Sequence, residues 1–287
     1  MKKRLSLLLA VLVVMGLALV GCGGTATEPE QSAVPTPENP TIRLSTTTSV
    51  NDSGLLPYLQ PTFEAKTGYK LEITSNGTGA AIKLGESGDA DCLLVHSKSA
   101  EEEFVNSGFG VERIPFMYNY FVIVGPADDP AKVKDCATAT DAFKAIANTE
   151  GAQFVSRGDN SGTHNAENKI WQAAEIEPDG QDFYISAGAG MGACLNQANE
   201  RGAYILTDKG TYLSMKENLD LELLLEKSDE MKNTYSVIAV NAEKHPDTNT
   251  DGANAFIQWI TSQEALDLIA EYGKEEYGEA LFYVLEK

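Results

Sequence analysis

Residues 41–107 read TIRLSTTTSVNDSGLLPYLQPTFEAKTGYKLEITSNGTGAAIKLGESGDADCLLVHSKSAEEEFVNS. Short β-branched or aliphatic runs at 41–46, 71–74 and 92–96 alternate with stretches of helical period at 55–67, 80–84 and 100–107. The first of those helices is expected despite Pro57 and Pro61, because its apolar spacing persists through both. A repeated strand–helix rhythm implies parallel strands joined by helical crossovers, an α/β layer structure.

The same rhythm returns further along. Strand-like segments at 120–125 and 235–241 enclose helix 139–148, strand 153–156, helix 163–174, strand 184–186, helix 192–201 and strand 203–207. Helical stretches at 252–262 and 263–272 close the chain. The length suits two lobes, one of them discontinuous: 41–122 plus 238–287, and 123–237. Two strand crossings between two lobes form a hinge that can close over a ligand.

Composition narrows the function classes. The chain has 287 residues, 43% of them hydrophobic, which supports a sizeable core and excludes a disordered chain or a disulfide miniprotein. Its net charge of −20 repels nucleic-acid phosphates and anionic headgroups, so nucleic-acid binding is not expected. Met1 to Arg4 is a short basic head, and the apolar run at 5–20 follows it. That is the pattern of a signal peptide, expected over 1–21. The run ends in LVGC, which resembles the lipobox of bacterial lipoproteins and marks Cys22 as the lipidation site. The segment 22–40 is rich in Gly, Thr, Glu, Ser and Pro and is expected to be a flexible tether. The body is thus expected to be extracytoplasmic, lipid-anchored to the cell membrane and monomeric. Cys92, Cys136 and Cys194 are an odd set that cannot all pair within one molecule, and no Cys/His spacing suggests zinc.

Four loops that follow strands carry the functional signal. They are Thr46-Thr47-Thr48-Ser49 with Asn51-Asp52-Ser53-Gly54; Asn76 to Ala80; SRGDNSGT at 156–163; and AGAGMG at 187–192. Each opens a helix. Helix starts carry unpaired N–H groups and a partial positive charge, glycines allow close approach, and Ser and Thr add hydroxyl donors. Such loops lie at the carboxyl ends of strands, where open parallel sheets bind ligands. Taken singly, each loop is better read as a plain helix cap; four of them in two lobes point to an anion site. Arg157 is the only basic residue among them, either a partner of Asp159 or a clamp on a ligand oxygen. Exposed acidic charges more than about 8–10 Å away are screened at physiological salt, so the negative exterior does not forbid such a site.

The runs LSTTTSVNDSGLL, SNGTGAAIKLGESGDADCLLVHSKSAEEEFV, MYNYFVIVGPADDP, SRGDNSGTH and GAGMGACLNQANERGAYILTDKGTY together resemble the tungstate-binding proteins of the TupA family, which serve tungstate ABC importers. The resemblance extends from about Thr41 to the last helices. It implies a type II periplasmic-binding-protein fold, with two mixed, mostly parallel sheets flanked by helices and a two-strand hinge. It also implies capture of a tetrahedral oxyanion, tungstate first, and delivery to a cognate ABC permease. By position it nominates Thr47, Thr48, Ser49, Thr78, Gly79, Ala80, Arg157, Ser161, Gly162 and Thr163. Cys92 stands where relatives usually carry an aliphatic residue, a change in the core.

No enzyme activity, cofactor or resident metal is expected, tungstate being an oxyanion ligand. Phosphate or molybdate capture is the alternative; a phosphate site would benefit from a carboxylate acceptor, with Asp159 the candidate. A hydrolase built on Ser161 and His164 lacks the nucleophile-elbow pattern. His96, at a strand end, is expected to be neutral and satisfied by backbone, His164 to pack at a helix base, and His245 to be exposed.

Overall fold

The computed structural model describes residues 36–286; the expected signal peptide, Cys22 and the tether up to residue 35 lie outside the described residues. Asn39 and Pro40, at the far end of that expected tether, are docked: Pro40 accepts from the Lys70 amide at 2.7 Å and Asn39 from Asn249 Nδ2 at 3.0 Å.

The first α/β set consists of β1 (Thr41–Thr47), α1 (Thr48–Asp52), α2 (Leu55–Thr67), β2 (Lys70–Asn76), α3 (Thr78–Ser87), β3 (Cys92–Val95) and α4 (Lys98–Asn106). β1 lies between β2 and β3 and pairs with both in parallel. Helix α2 keeps Pro61 in its interior, and its buried face of Leu55, Leu56, Leu59 and Phe63 supplies the packing that holds it. Those side chains join Ile42, Leu44 and Phe256 in one core. Ala81, Leu93, Val95 and Phe104 fill a second core in this half.

The chain then enters β4 (Ile114–Pro126), which is followed by α5 (Ala139–Asn148), β5 (Phe154–Ser156), α6 (Gly162–Ala173), β6 (Tyr184–Ser186), α7 (Met191–Arg201), β7 (Tyr204–Asp208), α8 (Lys209–Met215) and β8 (Leu221–Leu225). It returns through β9 (Lys232–Ala239) and ends with α9 (Thr250–Ile260), α10 (Gln263–Glu271), α11 (Lys274–Tyr277) and β10 (Tyr283–Val284). In this second half Phe143, Phe154 and Trp171 form an aromatic core, with Phe143 and Trp171 centroids 4.3 Å apart. Val122, Val155, Leu195 and Tyr212 fill a further core.

The strand order is β2-β1-β3-β9-β4-β7-β5-β6, with β8 and β10 also pairing β4. The long strand β4 belongs to two ladders. Its residues Ile114 to Tyr120 pair β9, and from Phe121 onward it pairs β7 and then β8. Every antiparallel ladder between these strands involves β4 or β9, whereas β1-β2, β1-β3, β5-β6 and β5-β7 are parallel. The chain changes ladder at Tyr120/Phe121 and returns at Lys232, where the sequence pattern places the lobe divisions at 122/123 and 237/238. The pattern also starts the outward strand at 120. Pro115 hides its first half: it pairs Ser236 at the edge of a bulge, where the register shifts before Met117 and a residue without an N–H is tolerated.

Candidate anion-binding site

The register of the parallel strands sets the loops side by side. Thr47 at the end of β1 pairs Asn76 at the end of β2, so the loops carrying Thr48–Ser49 and Thr78–Ala80 leave the sheet together. In the second half Ser156 at the end of β5 pairs Ser186 at the end of β6, so the 157–163 and 187–190 loops do likewise. Gly158, at φ +61°, lies so close to Ser186 that a Cβ there would overlap its hydroxyl. Only glycine lets these two loops meet.

Each loop opens a helix with unspent amides. In α3 the first helical bond runs from the Ala81 N–H to the Gly77 carbonyl at 3.0 Å, and Gly77 offers no side-chain cap. In α7 the Cys194 N–H to Gly190 carbonyl bond, also 3.0 Å, plays that part. In α6 the Ser161 Oγ accepts from the His164 N–H at 3.2 Å and the Ser161 carbonyl from the Asn165 N–H at 2.9 Å. That leaves the amides of Gly162 and Thr163 without an intrahelical partner.

A cavity of about 290 Å³ unites the loops of both halves. Thr48 and Ser49 line it from the first half, Arg157 and Gly190 to Gly192 from the second, and Asp208 with Thr211 from the start of α8. Of the nominated residues, Thr48, Ser49 and Arg157 thus share one cavity. Thr47 is buried behind them, its Oγ1 3.3 Å from Ser49 Oγ. Thr78, Ser161 and Thr163 are buried polar residues, and Thr78 Oγ1 has no hydrogen-bond partner. Gly162 lines a neighbouring cavity of about 450 Å³. Gly79 and Ala80 are exposed and line neither.

Arg157 is 8% exposed and donates from Nη2 to Asp159 Oδ2 at 2.5 Å, while its Nε is buried with no partner. The second Asp159 oxygen accepts from the Ser161 amide at 3.0 Å. Burial works to raise the Asp159 carboxyl, but the Ser161 hydrogen bonds and the Arg157 charge outweigh it and hold the group below its ordinary range. Both oxygens of the one carboxylate foreseen as a phosphate acceptor are therefore engaged.

Asp208 is not among the nominated residues. It is a cap: Oδ1 accepts from the Thr211 N–H at 2.8 Å, and the Thr211 hydroxyl donates to Oδ2 at the same distance. Yet it also lines the cavity, and burial pushes its carboxyl up against the opposing pull of Thr211 and Arg157. The glycine loop 187–192 is singled out by its sequence, though none of its residues is nominated; Gly190, Met191 and Gly192 all line the cavity.

The histidines depart from expectation. His96 reaches Ser49 Oγ from Nε2 at 3.2 Å, and its Nδ1 is buried with no partner in hydrogen-bond geometry. Burial foremost pushes it down to about 4, against the opposing pull of the Asn233 side chain and the backbone and with the Arg157 charge adding, so the ring is neutral near pH 7. His164 takes the Asn160 N–H on Nδ1 at 2.9 Å, closing the loop before α6. His245 is half-buried rather than exposed, with its ring stacked on Phe109 at 6.1 Å. Cys92, Cys136 and Cys194 are free thiols. Among the described residues no group of three or more His, Cys, Asp or Glu is placed to hold a metal ion, and no helix is long and apolar enough to cross a membrane.

A family model for the PBP superfamily domain matches residues 34–264. The tungstate-binding protein TupA of Peptoclostridium acidaminophilum is 48% identical over 284 residues, covering 98% of each chain. The chain belongs to the TupA family. Its fold is that of the periplasmic binding proteins. Among solved structures, the TupA tungstate-binding protein of Desulfovibrio alaskensis G20 superposes with a TM-score of 0.77 at 42% identity, covering 86% of this chain and all of that one. The tungstate ABC transporter structure from Geobacter sulfurreducens superposes with a TM-score of 0.74 at 45% identity, covering 81% and 98%. As a family member, the chain is a substrate-binding component of the ABC-transport type.

Proposed function

We propose that this protein captures tungstate between its two lobes, 41–122 plus 238–287 and 123–237, and hands it to a cognate ABC permease. The observation that carries the reading is the single cavity to which Thr48 and Ser49 come from one half and Arg157 and the α7 start from the other. Thr48, Ser49 and Arg157 supply donors from the cavity wall, and Thr47, Thr78, Gly79, Ala80, Ser161, Gly162 and Thr163, which do not line it, join them on closure of the hinge. The 48% identical relative named as tungstate-binding supports the choice of guest.

The chemistry is that of a donor-rich seat, in which the lining carboxylate of Asp208 is turned to the Thr211 amide and hydroxyl. Tungstate carries no proton at neutral pH, so each of its oxygens accepts and none donates. Hydroxyls and helix-start amides meet that need without a surplus of cations, and Arg157 adds one charge-assisted contact through its unpartnered Nε. Molybdate has the same shape and charge and is the second guest. Phosphate is disfavoured because Asp159 is turned to Arg157 and the Ser161 amide and does not line the cavity.

No catalytic role accompanies this reading: Ser161 Oγ meets the backbone N–H of His164 rather than its ring. The protein needs no cofactor or resident metal, works as a monomer, and is held at the outer face of the cell membrane through acylated Cys22. Calorimetric titration with tungstate, molybdate, sulfate and phosphate tests the proposal. Tungstate and molybdate should bind far more tightly than the other two, and a preference for sulfate or phosphate discards it.

A further inference from the structure

Ser49 sits at the centre of a hydroxyl network. Its Oγ has three neighbours: Thr47 Oγ1 at 3.3 Å, His96 Nε2 at 3.2 Å and the Tyr235 hydroxyl at 3.2 Å. A serine oxygen has two lone pairs and one proton. Three neighbours therefore fix which way that proton points once the roles of His96 and Tyr235 are known.

The imidazole has two neutral tautomers. With the proton on Nδ1, a buried N–H would have no partner in good hydrogen-bond geometry, although the Asn233 side chain is close to the ring, and Ser49 would surrender its proton to Nε2. With the proton on Nε2, Nδ1 is a bare acceptor, which proteins tolerate better than an orphaned N–H. The second tautomer is favoured, and burial that keeps the ring neutral preserves it. The Tyr235 ring is fully buried, and its hydroxyl meets Ser49 Oγ, which lines the cavity; the Asn119 and Asn233 side chains bond the phenol oxygen as donors, which leaves its own proton for Ser49.

On the reading of the site given above, we propose that His96 and Tyr235 are positioning residues: both donate to Ser49 Oγ and so commit the Ser49 proton to the bound oxyanion. Thr47 Oγ1 accepts that proton until a guest arrives. The His96 ring also packs against the α carbon of Gly162, where any side chain would overlap it, and lies 4.9 Å from the Tyr235 ring. It therefore sets a hydroxyl of the first half and the start of α6 at a fixed spacing. The seat becomes selective for a guest that only accepts at this vertex, which is the chemistry of a fully deprotonated oxyanion.

The test compares His96→Phe, His96→Gln and Tyr235→Phe in the whole protein by tungstate calorimetry. Phenylalanine keeps the ring volume without a donor, whereas the glutamine Nε2 donates from a position close to that of the imidazole Nε2. His96→Phe and Tyr235→Phe should each weaken tungstate binding about five- to tenfold, and His96→Gln should restore most of it. In a Ser49→Ala background His96→Phe should have no further effect, because no hydroxyl remains to orient. Nitrogen-15 NMR of wild-type protein without ligand should show His96 protonated on Nε2 and bare on Nδ1, a readout that stands even if a variant fails to fold. An Nδ1–H tautomer, or full affinity in His96→Phe, overturns the positioning role while leaving tungstate capture intact. Wild-type protein that binds no tungstate sinks the underlying function instead.

Discussion

Arg157 and Asp159 form a part-buried pair two residues apart, Nη2 to Oδ2 at 2.5 Å, and the carboxylate spends its other oxygen on the Ser161 amide. The acid thus aims the guanidinium rather than facing the guest. Asp159→Asn is expected to weaken tungstate binding modestly, by loosening Arg157, and to leave discrimination against phosphate nearly unchanged. Arg157→Gln removes the one cation of the seat and is expected to cost about ten- to a hundredfold in affinity, the range of a charge-assisted hydrogen bond. Competitive calorimetry with tungstate and phosphate on both variants checks the pair.

Gly162 has no room for a side chain because the His96 ring occupies the space. Gly162→Ala is expected to destabilise the fold by about 1–3 kcal/mol, as overpacking does. Combining it with His96→Ala should return part of that loss, a non-additivity that urea denaturation of the single and double variants measures.

Glu167 makes stability depend on pH. It is 1% exposed inside α6, with Oε1 accepting from the Tyr184 hydroxyl at 2.8 Å and from Trp171 Nε1 at 3.2 Å. Burial pushes it up to about 7, against the hydrogen bonds of Tyr184, Ser156 and Trp171 and with Asp179 nearby. The folded state therefore binds a proton that the unfolded state has already lost once pH exceeds about 4.5. Its contribution is fully present below that value and is lost as pH rises to about 7. Denaturation of wild type and Glu167→Gln at pH 5 and pH 7.5 should show the wild type losing stability relative to the variant over this interval.

The free thiols should differ in reactivity. Cys92 and Cys194 are buried and Cys136 only half so. Burial, together with nearby Asp91, pushes the Cys92 thiol up and leaves it inert. A thiol-reactive dye should label Cys136 first in the native protein, and Cys92 and Cys194 only after denaturant is added, as mass spectrometry of the labelled peptides would show.

Much of this architecture was legible before any coordinates. Helices α2 and α5 run over the residues their apolar spacing predicts, and the four strand-to-helix loops stand at strand ends as read. The first half of β4 was hidden by Pro115, because bulge tolerance is a property of the partner strand rather than of the local pattern. Strand β8 and helix α8 were not anticipated; β8 gains its identity by pairing with β4. At the site, the donor loops announced themselves through Gly, Ser and Thr. Asp208 did not, because α8, the helix it caps, was itself not anticipated. His96 was legible as a strand-end residue, but its bond to Ser49 joins positions 47 residues apart and no local signal reports it.

The central claim is that Thr48 and Ser49 face Arg157 and the start of α7 across a tungstate seat. A crystal of the protein grown with tungstate and measured at the tungsten absorption edge tests it most directly. One strong anomalous peak is expected in the cavity lined by Ser49, Arg157 and Gly192. A peak lodged instead in the larger cavity beside Lys98, Lys169 and Lys232, or none at saturating tungstate, would contradict it.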